Sequence, residues 1–250
     1  MNSELVKRIL VDSDNLRDLR DKFFNDKLSK KDIDFILSNK PEHEHVAWGG
    51  KSLTMLPWSV LNHLEFCIRD TVSRGVEGDF IETGVWRGGG CILAKSVYNE
   101  ISPDTKVYVA DSFEGLPKPD GTYPEDNDDV HYKDEYLSVS LEEVKSNFEK
   151  FKLLDNNVVF VKGWFKDTMP KLKIDKISIL RLDGDMYEST IQVLDSMYDK
   201  LSVGGYCIID DYCHTACREA VKDFRFKRGI ENMIHRVDLD PSVETHYWIK

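Results

Sequence analysis

No stretch of 18 consecutive apolar residues occurs in this 250-residue sequence, so nothing in it reads as a membrane-spanning helix. The opening segment, MNSELVKRILVDSDNLRDLRDKFF, is charged and amphipathic and lacks the apolar core and small-residue cleavage site of a secretory leader, so a cytoplasmic protein is expected. Cysteine is sparse: Cys67, Cys91, Cys207, Cys213 and Cys217 form an odd set without a CxxC pair, which argues against a disulfide framework and a structural zinc site. Cys213, His214 and Cys217 come nearest to a soft-metal cluster, but their spacing matches no common zinc template. The five are therefore read as reduced thiols in packing positions. Basic residues are outnumbered, 34 Lys+Arg against 45 Asp+Glu, and the formal net charge of -11 repels nucleic acid and anionic lipid at long range. Neither is expected as a partner. Fixed-period repeats and low-complexity tracts are also missing.

What remains is a chain with 41% hydrophobic residues, enough to bury the core of one large domain. Helical periodicity marks Leu5, Ile9 and Leu10, and again Ile33, Phe35 and Ile36, the latter preceded by Ser29 as a cap. The segment from Pro41 to Trp58, with its Pro and paired Gly, reads as a loop able to pack or to act as a lid, the lid proper running from His45 to Trp58. Residues 1–58 are thus expected to form a helical extension with a lid loop, and 59–250 the main domain. A helix is expected from Leu61 to Arg74. Apolar strands follow at Phe80 to Thr83, Val107 to Ala110, Val158 to Val161, Ile177 to Leu182 and Tyr206 to Ile209, alternating with helices that begin near Gly89, Leu141, Thr190 and His214. That order predicts an α/β fold with a mostly parallel sheet. MIHRVDL and THYWIK, joined by a turn, add an antiparallel hairpin at one edge and bring the sheet to seven strands. Residues 117–136, rich in acids and aromatics, interrupt the alternation as either a substrate-facing loop or a solvated excursion.

Four constellations bear on chemistry. In FIETGVWRGGG, Glu82 ends a buried strand and Gly84, Gly88, Gly89 and Gly90 lead into a helix, a turn whose backbone approaches a nucleotide-like ligand closely. Trp86 holds the place of the second glycine of the dinucleotide fingerprint, which blocks a pyrophosphate, and an acidic strand end suits a cationic ligand. The pattern matches the acidic-glycine loop of S-adenosylmethionine-dependent methyltransferases with one glycine replaced. In VYVADSF, Asp111 stands at the end of the next strand, where a carboxylate accepts both hydroxyls of a ribose. LRLDGDMYEST and CIIDDY carry Asp183, Asp185, Asp210 and Asp211 at two further strand ends, which a parallel crossover brings side by side. Clustered carboxylates call for a hard cation, Mg²⁺, Mn²⁺ or Ca²⁺. Asp is also common just before helices, and Asp185 is a candidate for that capping role alone. Arg181 alternates with Asp183 and so points the same way.

ETGVWRGGG, ADSFEGLPKPD, VKGWFKDTMP, LRLDGDMYEST and IIDDY followed by CREAVKDFR resemble, in order and spacing, the macrocin/mycinamicin (TylF/MycF) family of metal-dependent sugar O-methyltransferases over roughly residues 78 to 228. The resemblance implies a Rossmann-like class I methyltransferase acting on a sugar or nucleotide-sugar hydroxyl, assembled as a dimer or larger homo-oligomer. It implies S-adenosyl-L-methionine held by Glu82, Thr83, Gly84, Gly88, Asp111 and Asp183, with Ser112, Gly163 and Trp164 bordering the adenosine. It further implies Mg²⁺, or another octahedral divalent ion, on Asp183, Asp210 and Asp211, with Asp183 doubling as general base. His214, at the start of the last helix, is the other candidate base or acceptor contact. Two rival enzymes stay open on the residues: a metal-dependent glycosyltransferase, for which LRLDGD alone would serve, and a catechol-type O-methyltransferase on the same fold.

Overall fold

The computed structural model describes residues 2–11, 17–38, 52–241 and 243–250; residues 41–51 of the expected lid loop lie outside the described residues. At the N-terminus α1 (Ser3–Leu10) starts where the Asn2 side chain accepts the Leu5 N–H, and it turns Val6, Ile9 and Leu10 inward. After α2 (Arg17–Phe24), α3 (Lys30–Ser38) opens with a reciprocal cap: the Asp32 N–H donates to Ser29 Oγ while the Asp32 carboxylate accepts the Ser29 N–H. The next helix, α4 (Trp58–Ser73), begins before the expected Leu61, because the Pro57 carbonyl already accepts the Leu61 N–H and closes a first turn.

The sheet comprises β1 (Asp79–Thr83), β2 (Val107–Asp111), β3 (Val158–Lys162), β4 (Ile177–Leu182), β5 (Leu201–Ile209), β6 (His235–Arg236) and β7 (His246–Ile249). Its order is β3-β2-β1-β4-β5-β7-β6, with the first five strands parallel and β7 antiparallel to both β5 and β6. The expected seven strands and closing hairpin are present, with β6 reduced to two residues. Between the strands run α5 (Gly89–Ile101), α6 (Leu141–Lys150), α7 (Phe165–Thr168), α8 (Tyr187–Met197) and α9 (Thr215–Arg228).

Period-2 alternation sorts side chains onto two cores. Phe80 and Ile179 face the layer of α1, α4 and α5, whereas Ile81, Leu180 and Leu182 face α8 and α9. Each such fully buried aliphatic side chain contributes about 2 kcal/mol of transfer free energy. Glu82 and Arg181 are register partners across β1 and β4, on the same face as Phe80 and Ile179. The sheet's strand order reverses between β1 and β4, the switch point at which ligand crevices open in sheets of this kind. Among the described residues, no helix is long and apolar enough to cross a membrane.

Candidate active site

Parallel pairing continues one residue beyond the strands. The Gly84 N–H donates to the Ala110 carbonyl, Asp183 to Thr83, Gly163 to Asp111 and Asp210 to Leu182, at 2.8–2.9 Å. Their loops therefore leave the sheet side by side. Gly84 has φ +84°, and a Cβ there would lie 1.6 Å from the Asp183 carbonyl oxygen, so no side chain fits at this crossing. Gly84, Asp111, Ser112, Gly163, Trp164 and Asp183 together line a cavity of about 370 Å³. The Asp111 carboxylate accepts the N–H groups of Val85 at 2.8 Å and Phe113 at 2.7 Å; burial pushes its pKa up and these bonds oppose the rise. Ser112 Oγ donates to the Gly115 carbonyl and accepts the Glu114 N–H, which shapes the turn after β2. Thr83 and Gly88 stand behind the cavity: Thr83 through its carbonyl, Gly88 as the residue that opens α5.

Glu82 also stands outside this cavity. Its carboxylate accepts from Arg181 and from the Cys91 thiol, and the close approach of α5 places Gly90 where a Cβ would be 2.5 Å from Glu82 Oε1. Arg181, fully buried, bridges outward from Glu82 to Asp183 at 2.8 Å and Asp210 at 2.6 Å. The alternation of Arg181 with Asp183 thus produces an ion-pair chain running from the core to the strand ends.

Carboxylate oxygens of Asp183, Asp210 and Asp211 lie within 4.8 Å of one another. Among the described residues, the contacts each makes with the protein fall on one oxygen: Asp183 Oδ2 on Arg181, Asp210 Oδ1 on Arg181 and the Thr245 hydroxyl, Asp211 Oδ2 on the Asp185 N–H. One oxygen of each is left to face a cation. Burial, and then Asp210, push Asp183 well above the usual carboxylate range; burial, and then Asp185 and Asp210, do the same to Asp211. All-oxygen donors crowded in this way fit a hard divalent ion. Asp185 stands apart from the three, in the left-handed region at φ 58°, with its carboxyl pushed up to about 7 by burial and the nearby Asp183. It is not the cap of α8. That task falls to Asp126, whose two oxygens accept the Tyr187 and Glu188 N–H groups at 2.8 Å.

A second cavity, of about 390 Å³, adjoins the first; Trp86, Asp183 and Asp185 line both. Its wall includes Asp210, Asp211, His214 and Glu244, from the acidic insertion His131 and Tyr136, and just past it Leu137. Of the two readings of that insertion, the structure favours the site-facing one. It is tied down at its middle, where Asp126 accepts the first N–H groups of α8, and at its end, where the Trp86 indole N–H donates to the Tyr136 carbonyl at 2.8 Å. Between the ties, His131 Nδ1 faces Asp129 at 3.2 Å and its ring lies 6.1 Å from that of His214. His214 is half-buried, at the N-cap of α9 and 3.7 Å from Glu244. Asp126, Asp129 and His131 escaped sequence reasoning, since nothing local distinguishes three polar residues in a polar loop from solvated ones. Cys213 corrects another expectation: it is exposed, whereas the other four cysteines are buried.

The profile of the family described as Macrocin-O-methyltransferase (TylF) matches residues 3–250. Mycinamicin III 3''-O-methyltransferase of Micromonospora griseorubida is 45% identical over 190 residues, 74% of this chain and 75% of that protein. Demethyldecarbamoylnovobiocin O-methyltransferase of Streptomyces niveus is 42% identical over 197 residues, 77% and 75% of the two chains. Among solved structures, the O-methyltransferase NovP aligns with a TM-score of 0.78 at 40% identity, covering 81% of this chain and 84% of that one. The calicheamicin methyltransferase CalS11, at 15% identity, shares the fold with a TM-score of 0.62 over 99% of this chain and 90% of its own.

Proposed function

The chain belongs to the macrocin O-methyltransferase family and is an S-adenosylmethionine-dependent O-methyltransferase, and from that premise we propose that it methylates a sugar hydroxyl with a divalent cation, Mg²⁺ or an equivalent, on Asp183, Asp210 and Asp211. The observation that carries this reading is the position of Asp183, which lines both cavities at the point where they adjoin. The first cavity takes the methyl donor and the second the acceptor. Mycinamicin III 3''-O-methyltransferase, and a Streptomyces olivaceus relative 42% identical over 194 residues whose name gives a dimethoxy-rhamnosyl tetracenomycin as its substrate, support a sugar-bearing acceptor.

In the donor cavity Asp111 accepts the ribose hydroxyls, its orientation fixed by the Val85 and Phe113 N–H bonds. Ser112, Gly163 and Trp164 border the adenosine, and the Gly84 crossing lets the donor lie against bare backbone. Glu82 acts from behind, holding Arg181, which in turn orients Asp183 and Asp210. When bound, the cation supplies a Lewis acid that lowers the pKa of an acceptor hydroxyl and fixes its direction. Asp183 takes the hydroxyl proton as the acceptor oxygen bonds to the methyl carbon and the carbon–sulfur bond of the sulfonium breaks, releasing S-adenosylhomocysteine, and His214 contacts the acceptor from the α9 side. The insertion and Thr54–Pro57, which line the second cavity, exclude water from it, and residues 1–58 serve as the extension to the 59–250 domain. The exposed side chains of Phe226, Met233 and Leu239 support a homo-oligomer.

The test is methyl transfer, followed by mass spectrometry, over a panel of glycosides and nucleotide-sugars with and without chelator. Turnover on a sugar that stops with chelator and returns with Mg²⁺ is expected. Asp183→Asn is expected to lower turnover by about 10²–10⁴-fold while S-adenosylhomocysteine binding persists in calorimetry. Unimpaired turnover in that variant would remove Asp183 from the role given to it.

A further inference from the structure

At the rim of the second cavity three unlike donors meet. Cys213 Sγ, a His214 ring nitrogen and a Glu244 carboxylate oxygen all lie within 4.8 Å of one another. The turn in which the His214 N–H donates to the Asp211 carbonyl, at 2.9 Å, presents the first two at the head of α9. Glu244 returns to them because β7 pairs antiparallel with β5, Ile209 opposite His246. It is held there from both sides: His246 Nδ1 donates to its carbonyl at 2.8 Å, and the hydroxyl of neighbouring Thr245 donates to Asp210 at 2.8 Å. Cys217 takes no part. It is buried between α8 and α9, where its sulfur accepts the Thr190 hydroxyl at 3.4 Å.

We propose that Cys213, His214 and Glu244 form a second metal site, for a thiophilic divalent ion best matched by Zn²⁺, and that an ion held there obstructs the acceptor cavity. Sulfur, imidazole and carboxylate are zinc's donors, and three protein ligands leave one tetrahedral position open. Ligand bonds of about 2.0–2.3 Å close the observed spread with small side-chain rotations. One thiolate and one carboxylate balance the ion's two charges, with the imidazole neutral. Three aspartates nearby offer oxygen alone, so the two sites sort ions by hardness: Mg²⁺ to the aspartates, Zn²⁺ to the sulfur-bearing set. His214 and Glu244 both line the second cavity, so an ion between them stands on its wall. The obstruction rests on the acceptor reading of that cavity, whereas the binding site does not.

Co²⁺ is the probe, because thiolate ligation adds a sulfur-to-cobalt charge-transfer band that oxygen ligation lacks. With excess Mg²⁺ and a thiol-free reductant, the protein is expected to take up Co²⁺ with that band and to lose it when Zn²⁺ is added. Cys213→Ser is expected to abolish the band and weaken Zn²⁺ binding by about tenfold or more in calorimetry. Glu244→Gln is expected to weaken it comparably, and Asp183→Asn to retain the band. A wild-type protein without the band, or Zn²⁺ affinity unchanged in Cys213→Ser, overturns the site. In turnover assays Zn²⁺ is expected to raise the acceptor KM of the Mg²⁺-loaded wild type but not of Cys213→Ser, whose zinc-free activity matches wild type. Equal inhibition of both overturns the obstruction. Failure to turn over any sugar would strike the sugar-acceptor reading and leave the cobalt result standing.

Discussion

At Arg181 one guanidinium serves three carboxylates, Glu82, Asp183 and Asp210, with its own side chain wholly buried. Removing a buried partner leaves uncompensated charge in a low-dielectric interior, which outweighs the modest gain from the intact pair. Arg181→Met is therefore expected to lose about 3–5 kcal/mol of stability in urea titrations. Adding Glu82→Gln should recover part of that loss, because it removes one orphaned charge, and a double variant no better than the single one would contradict the pairing. That Arg181 and Asp183 share a direction is legible from their spacing of two in a strand. Its partner Glu82 is not, since β1 and β4 are brought into register by topology, ninety-nine positions apart in the chain. The three aspartates likewise read as neighbours from parallel strand ends, but which of the four acids stands apart depended on the left-handed backbone at Asp185.

Among the helices, α8 shows how an element's boundary is set from outside itself. Its apolar periodicity is legible only from about Thr190, yet it begins at Tyr187 because both oxygens of Asp126 take the first two N–H groups. The cap lies 61 residues upstream of Tyr187, so no local window contains it. By contrast the start of α3 is legible, because Ser29 and Asp32 are neighbours in sequence. Asp126 is almost entirely buried and also anchors the insertion that faces the second cavity. Asp126→Ala is expected to lose about 1–2 kcal/mol of stability and to speed limited proteolysis within residues 117–136. Asp126→Asn, which keeps an acceptor oxygen, should fall between the two. Unchanged proteolysis in the alanine variant would mean that the loop is held by other contacts.

Across the whole molecule the list of strands is readable from apolar runs, but their order is not, because order depends on which crossover passes over which face. The C-terminal β7 closes onto β5 and against α4, and His63 sits in that seam, its ring 4.4 Å from Tyr247 on β7 and 6.4 Å from Tyr206 on β5. Burial lowers the pKa of His63 to about 4 from an ordinary 6.5. Between those values the unfolded chain binds a proton at this position and the native chain does not, so protons favour unfolding. The contribution is complete above pH 6.5 and is lost as pH falls toward 4, by up to about 3 kcal/mol. Carboxyls raised by burial, such as Asp79 and Asp126, act with the opposite sign, so the histidine's share must be isolated by difference. Wild type and His63→Leu, compared in urea at intervals from pH 4.5 to 7, are expected to diverge as pH rises, with wild type gaining relative stability. Direct NMR titration should find the His63 ring still neutral at pH 5, where solvent-exposed imidazoles are already charged; a ring charging near 6.5 would mean that the seam admits water and that β7 does not seal it.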